Sequence, residues 1–329
     1  MCYTFIPFIV YIKSFTQFFM PYPIDKKFVI AVSSSALFDL TESDSIFKVQ
    51  GVDAYRKYQD DNINKPFEKG VAFPFIKRLL NLNNSFPEEQ PIEVVLFSKN
   101  SPESGLRAFR SIQHYGLNIS RAYFSSGKSH FRFLPAFNAT LFLSANEKDT
   151  KDAIKAGFAA GTVLNTKVID DDEDKELRLA FDFDGVIADD TSEKFYQESN
   201  GDMPKYFKHE KDLASNPLAG GPIGTLLQKI SFFQKLERRK VDSDKSYKRI
   251  LSTTIVTARN APAHKRVVTT LKSLDIEVDG VFFLGGIDKS RILNILKPHI
   301  FFDDQMVHLD HLDKIPAVHI PFGVANKDN

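Results

Sequence analysis

The chain has 329 residues, 43% apolar and 26% charged, with a formal net charge of +1. That length and composition suffice for a large buried core and favour two domains over one. The small net charge supplies no long-range field to gather nucleic acid or an anionic membrane, and the single cysteine, Cys2, excludes an intramolecular disulfide and a cysteine-built zinc site and fits a reducing compartment.

Residues 1–23 are apolar and aromatic. Pro7, Lys13 and Gln17 interrupt the run, no basic segment precedes it and no small-residue cleavage site follows it. It therefore reads as an extra N-terminal segment beside the folded body rather than as a signal peptide or membrane anchor. From residue 24 the pattern changes. Phe28 to Val32 reads as a buried strand leading into Ser33-Ser34-Ser35, followed by a helical region through Tyr55 and Tyr58, a Pro/Gly-marked loop from Lys65 to Gly70 and a helix from Phe73 to Leu82. Further strands are expected at Ile92 to Phe97, Ala122 to Phe124 and Ala139 to Leu143, with an amphipathic helix running to Tyr115. Strands alternating with helices argue a parallel, doubly wound sheet whose strand ends gather on one edge. The acidic run Asp170 to Glu176 has no apolar periodicity and reads as a solvated linker, dividing the chain into units at 24–169 and 177–329.

The second unit opens with an apolar strand ending in Asp182-Phe183-Asp184-Gly185. Residues i and i+2 of an extended chain share a face, so both carboxylates can converge on one small group. Residues 187 to about 250 are an insertion, mostly helical and hinged at Asn216 to Pro222, expected to cap the sheet edge. The strand at Thr254 to Val256 ends in Thr257-Ala258-Arg259, where a hydroxyl and the following backbone amides suit phosphoryl oxygens. Gly280 to Gly286 leads to Lys289, which can pair with a carboxylate and a phosphate. Finally, His299 to Phe302 ends in Asp303-Asp304. Two carboxylate clusters at strand ends make a hard oxygen site suited to Mg²⁺.

The order Asp-x-Asp-Gly-Val, strand-end Thr, Lys, then Asp-Asp resembles the haloacid dehalogenase superfamily of phosphohydrolases. The resemblance implies Asp182 as nucleophile, Asp184 as general acid and base, Thr257, Ala258, Arg259 and Lys289 as phosphate binders, and Asp182, Asp184, Asp303 and Asp304 around the metal.

The halves also align on each other. An offset of 159 carries Ser98 onto Thr257 and Ser144 onto Asp303, an offset of 149 carries Ser33-Ser34-Ser35 onto Asp182-Phe183-Asp184, and an offset of 151 carries the Pro66–Gly70 loop onto Pro217–Gly221. Two tandem units of one α/β design are expected, each a mainly parallel, Rossmann-like sheet, the second with the helical cap. With Ser33, Ser35 and Ser144 in place of acids, the first cannot bind Mg²⁺ in the same way and is expected to be catalytically silent. Its stretches Ala31 to Asp39, Tyr55 to Gln59, Gly70 to Phe75 and Ser111 to Leu117 closely resemble the cytosolic 5′-nucleotidase type I family. That resemblance implies a cytoplasmic, Mg²⁺-dependent hydrolase of nucleoside 5′-monophosphates, AMP-like ones first. Phe183 departs from it, since a smaller residue is more usual between the two acids. The base and ribose are expected to be read by the insertion at 187–250 with help from the silent first half, and His114, Lys128, His130 and Arg259 are the candidates. Two other readings stay open, a phosphatase for a sugar phosphate and a non-enzymatic nucleotide-binding protein. So does the oligomeric state, a homo-oligomer included.

Overall fold

The computed structural model describes residues 22–326, and the amino-terminal segment read from the sequence lies, up to residue 21, outside the described residues. In chain order the strands are β1 (Phe28–Val32), β2 (Phe38–Asp39), β3 (Glu68–Lys69), β4 (Ile92–Ser98), β5 (Arg121–Phe124), β6 (Ala139–Ser144), β7 (Ala160–Val163), β8 (Leu177–Phe181), β9 (Leu251–Thr257), β10 (Gly280–Phe283), β11 (Ile300–Asp303) and β12 (Ala317–His319). β2 and β3 pair only with each other. The remaining ten form one sheet in the order β10-β9-β8-β11-β12-β7-β6-β1-β4-β5.

That order contains two runs of the same pattern. In each, the first strand lies in the middle, the second and third on one side, the fourth and fifth on the other. All pairings within a run are parallel, while the runs meet at β7 and β12, which pair antiparallel through Val163 with Val318 and Thr162 with His319. The two runs therefore point in opposite directions, and their carboxyl ends emerge at opposite edges of the sheet. Gly161 makes the seam close, since a Cβ there would stand 2.3 Å from a methyl of Val318.

β1 and β4 are buried along their whole length, as strands covered on both faces must be. Phe28, Ile30 and Val32 on β1 share one apolar cluster with Leu177, Leu179 and Phe181 on β8, so the core on that face runs through both halves. The crossover helices stitch the halves together as well. The helix Phe73–Asn81 packs on β4 and also on β8, and the helix Gly224–Ser243 packs on β9 and also on β6. Phe233 lies 5.8 Å from Phe28 between ring centroids, and Lys229 donates to the Thr140 hydroxyl at 2.7 Å.

Two expectations change here. Gly224–Ser243 buries Leu226, Leu227, Ile230 and Phe233 against the sheet, so within the 187–250 stretch only the helices Thr191–Glu198 and Met203–Asp212 stand apart from it. The acidic run is no free tether either. The buried guanidinium of Arg78 donates to the carbonyls of Asp171 and Asp174 and pairs with Asp170 at 2.8 Å, while Lys69 and Lys77 hold Asp172. A buried cation needs such partners. The apolar periodicity that marks a core helix is legible in sequence, whereas an arginine 93 residues away from the carbonyl it satisfies is not.

Candidate active site

At the carboxyl edge of the second run, β8 and β11 are neighbours, with Ile300 to Phe302 aligned on Leu179 to Phe181. Asp182 follows β8, and Asp303 ends β11 with Asp304 next to it, so adjacency of the strands brings the three acids together. One carboxylate oxygen from each lies within 4.8 Å of the others, and all three side chains are buried. Lys289, at the start of the helix Lys289–Leu296, reaches in with its ammonium 2.9 Å from Asp182 and 2.7 Å from Asp303. The backbone amide of Gln305 donates to Asp303 at 2.9 Å, and the His308 imidazole stands 3.2 Å from the same carboxylate.

Three carboxyl groups facing one ammonium leave an excess of buried negative charge, and the electrostatics register it. Burial pushes the Asp182 carboxyl up to about 6, with Lys289 opposing and the neighbouring acids adding to the shift. Burial together with Asp182 and Asp303 pushes Asp304 up to about 9. At Asp303 burial also works upward, but Lys289 and His308 outweigh it and the net shift is downward. Buried acids in this state are stabilised by a cation. One oxygen of Asp304 makes no hydrogen bond among the described residues. The donor set is all hard oxygen, so these three residues fit a divalent cation.

Gly185 is required at this corner for two reasons. Its φ of +68° is one that residues with a Cβ rarely adopt, and a Cβ there would stand 2.4 Å from an Asp304 oxygen. The backbone of Asp304 is fixed from behind, its carbonyl accepting from Asn326 at 2.8 Å with the His319 ring 3.0 Å away.

The second acid of the Asp-x-Asp pair is held differently. Asp184 is clamped bidentately by Arg259, with contacts of 2.6 and 2.7 Å, and the same guanidinium donates to Glu210. Glu210 is fully buried on the helix Met203–Asp212, where it also accepts from Arg266 and from Ser192, each at 2.9 Å. This network joins the strand end to the two small helices of the insertion. Phe183, between the acids, is fully buried and lies beneath the plane of Arg259, whose guanidinium carbon is 5.3 Å from the ring centroid. The bulky residue thus supports the clamp as well as filling the core. Two acids two residues apart therefore have distinct surroundings, one facing an ammonium and the other acids, the other facing a guanidinium.

Thr257 ends β9, buried, and its hydroxyl accepts the Arg259 amide at 3.2 Å; Ala258 between them is exposed. The structure brings Asp182, Asp303, Asp304 and Lys289 together, with Asp184 and Arg259 beside them. It does not bring the first-half candidates there. His130 and the Ser33 to Ser35 corner line a cavity at the carboxyl edge of the first run, which faces the other way. Lys128 is an exposed residue on the loop before His130, and His114 is exposed at the end of the helix Pro102–His114, its ring against Tyr115. Sequence reasoning missed Glu210, Arg266 and His308. The first two carry no local signal, since a buried acid in a polar helix is recognisable only from its distant arginines, whereas His308 lies five residues past Asp303, one turn into the next helix.

A family model described as 5′-nucleotidase matches residues 20–327. The curated human protein cytosolic 5′-nucleotidase 1B is 33% identical over 295 residues, covering 88% of this chain and 48% of that protein, so the chain spans about half the length of the relative it matches. No solved structure matches the chain significantly.

Proposed function

The chain belongs to the 5′-nucleotidase family, and on that premise we propose that it hydrolyses nucleoside 5′-monophosphates, AMP-like ones first, to nucleoside and phosphate. The observation that carries the reading is the buried cluster of Asp182, Asp303 and Asp304 around Lys289, with Asp184 clamped beside it. In this reading Asp182, Asp303 and Asp304 hold Mg²⁺ together with the Asp184 carbonyl. The ion supplies charge neutralisation and orientation for the phosphate. A carboxylate oxygen of Asp182 attacks phosphorus in line, forming an aspartyl-phosphate as the ribose oxygen leaves. Asp184 gives the proton to that oxygen and then takes one from the water that hydrolyses the acyl phosphate. Lys289 and the Thr257 hydroxyl face the equatorial oxygens, where charge spreads in the transition state. Arg259 holds the Asp184 carboxyl in one rotamer, a positioning role.

We also read the two halves as copies of one unit, of which the first is catalytically silent. Support comes from the shared strand pattern and from contacts repeated at the aligned positions. The amides of Asn100 and Arg259 donate to Ser98 and Thr257, and those of Asn146 and Gln305 donate to Ser144 and Asp303. The loops keep step too, with Gly70 donating to the Leu37 carbonyl and Gly221 to that of Ile187. Among the described residues no helix is long and apolar enough to cross a membrane, and the relative's name makes a cytoplasmic setting the natural proposal. Phosphate release from a panel of nucleoside and sugar monophosphates, with Mg²⁺ and with chelator, tests the reading. Release from nucleotides alone and only with the metal is expected. Preference for a sugar phosphate would reassign the substrate, and no release from any member would leave a binding protein.

A further inference from the structure

The carboxyl edge of the first run carries a cavity of about 520 Å³, the size of a small-molecule site. Its floor is the Ser33-Ser34-Ser35 corner, where the Ser33 and Ser35 hydroxyls are 3.0 Å apart, together with Ser144 and Asn146 at the end of β6. Its roof is the helix Thr41–Asp61, which contributes Phe47, half exposed and edge-on to Tyr55 at 5.7 Å. The rim carries the cations Lys48, Arg56 and Lys99, the last paired with Asp149.

Deep in this cavity is His130. It is 2% exposed, and neither of its ring nitrogens makes a hydrogen bond among the described residues. A buried polar ring left unbonded costs free energy unless something in the cavity satisfies it. His130 falls at the place in the first half that the offset of 159 assigns to Lys289 in the second. A neutral-capable ring packed on Phe97 and Phe142 there replaces an ammonium among acids. Hydroxyl, imidazole and amide donors with cations at the rim suit a phosphate held without a metal, and an exposed aromatic roof suits a base stacked on it. We propose that this cavity is a second, metal-independent binding site for a nucleoside monophosphate, at the edge of the sheet opposite the acids and separate from the hydrolysis proposed there.

Equilibrium dialysis with AMP, GMP, CMP and UMP tests this on the full chain carrying Asp182→Asn, in chelator, so that turnover does not intervene. At least one nucleotide is expected to bind. His130→Phe, which keeps the ring and removes both nitrogens, should weaken that binding about tenfold or more. Lys48→Glu with Arg56→Glu, exposed changes that leave the core untouched, should weaken it as well. No binding of any of the four in chelator overturns the proposal, and so does binding that both variants leave unchanged. Phosphate release by the unmodified chain is read separately, so failure of the proposed hydrolysis and failure of this site are distinguishable.

Discussion

The two carboxyl edges of the sheet are built alike and furnished differently. At each, the strand-end side chain accepts from the amide two residues on, whether it is Ser98 or Thr257, Ser144 or Asp303. At each, a glycine from the following loop docks on the chain just after the first strand, with room for no Cβ: one at Gly70 would stand 2.7 Å from the Phe38 nitrogen and one at Gly221 2.4 Å from the Ala188 carbonyl oxygen. What differs is charge. The second edge buries three acids against a lysine, while the first presents hydroxyls and an unbonded histidine. The difference teaches that the scaffold fixes where groups stand, while the side chains it carries set the charge at each edge.

That contrast can be broken most sharply at Asp182. Asp182→Asn is expected to lower phosphate release roughly ten-thousand-fold while leaving chelator-resistant nucleotide binding at the other edge; full Mg²⁺-dependent release from this variant would remove Asp182 as nucleophile. Asp184→Asn should cost about a hundred- to ten-thousand-fold. Arg259→Lys should cost about ten- to a hundredfold, because an ammonium cannot reproduce the bidentate clamp, and should also alter the pH profile of kcat, which a purely structural role would not do. A fourth test concerns stability. Mg²⁺ at a hundred times its dissociation constant should add about 2.7 kcal/mol and raise Tm, and Asp304→Asn should shrink that rise; a Tm indifferent to Mg²⁺ in the unmodified chain would count against the cluster as a cation site. The smallest effect is expected at the seam. Gly161→Val must push against Val318 and should lose about 1–3 kcal/mol by overpacking, measured as a lower denaturant midpoint.

The alternation of apolar strands and amphipathic helices was legible in the sequence, and so was the gathering of acids at strand ends, since both depend on local pattern. Asp182, Asp303 and Lys289 could be grouped from sequence only through the order of their motifs and its resemblance to the haloacid dehalogenase superfamily, since the pairing of β8 with β11 carries no local signal. The join between the halves was not legible. Nothing in Ala160 to Val163 or Ala317 to His319 specifies an antiparallel meeting of two short, fully buried strands. Yet that join decides which candidates share a site, and it sends His130 to the far edge. Glu210 escaped for a related reason, because its burial depends on Arg259 and Arg266, each about fifty residues further along the chain.

The seam has one more consequence. The two edges face away from each other, so any influence between groups bound there has to pass through the seam, the shared apolar core or the two helices that pack on both halves. The seam is two residue pairs wide, and both of its polar members are tied to an edge. The ring of His319 stands against the Asp304 carbonyl, while the Thr162 hydroxyl bonds that of Thr150, the residue next to Asp149 in the helix behind the first cavity. If occupancy of one edge altered affinity at the other, thermodynamic reciprocity would require the reverse effect to be equal, and the His319 and Thr162 pair is the polar link at the seam through which both could be perturbed.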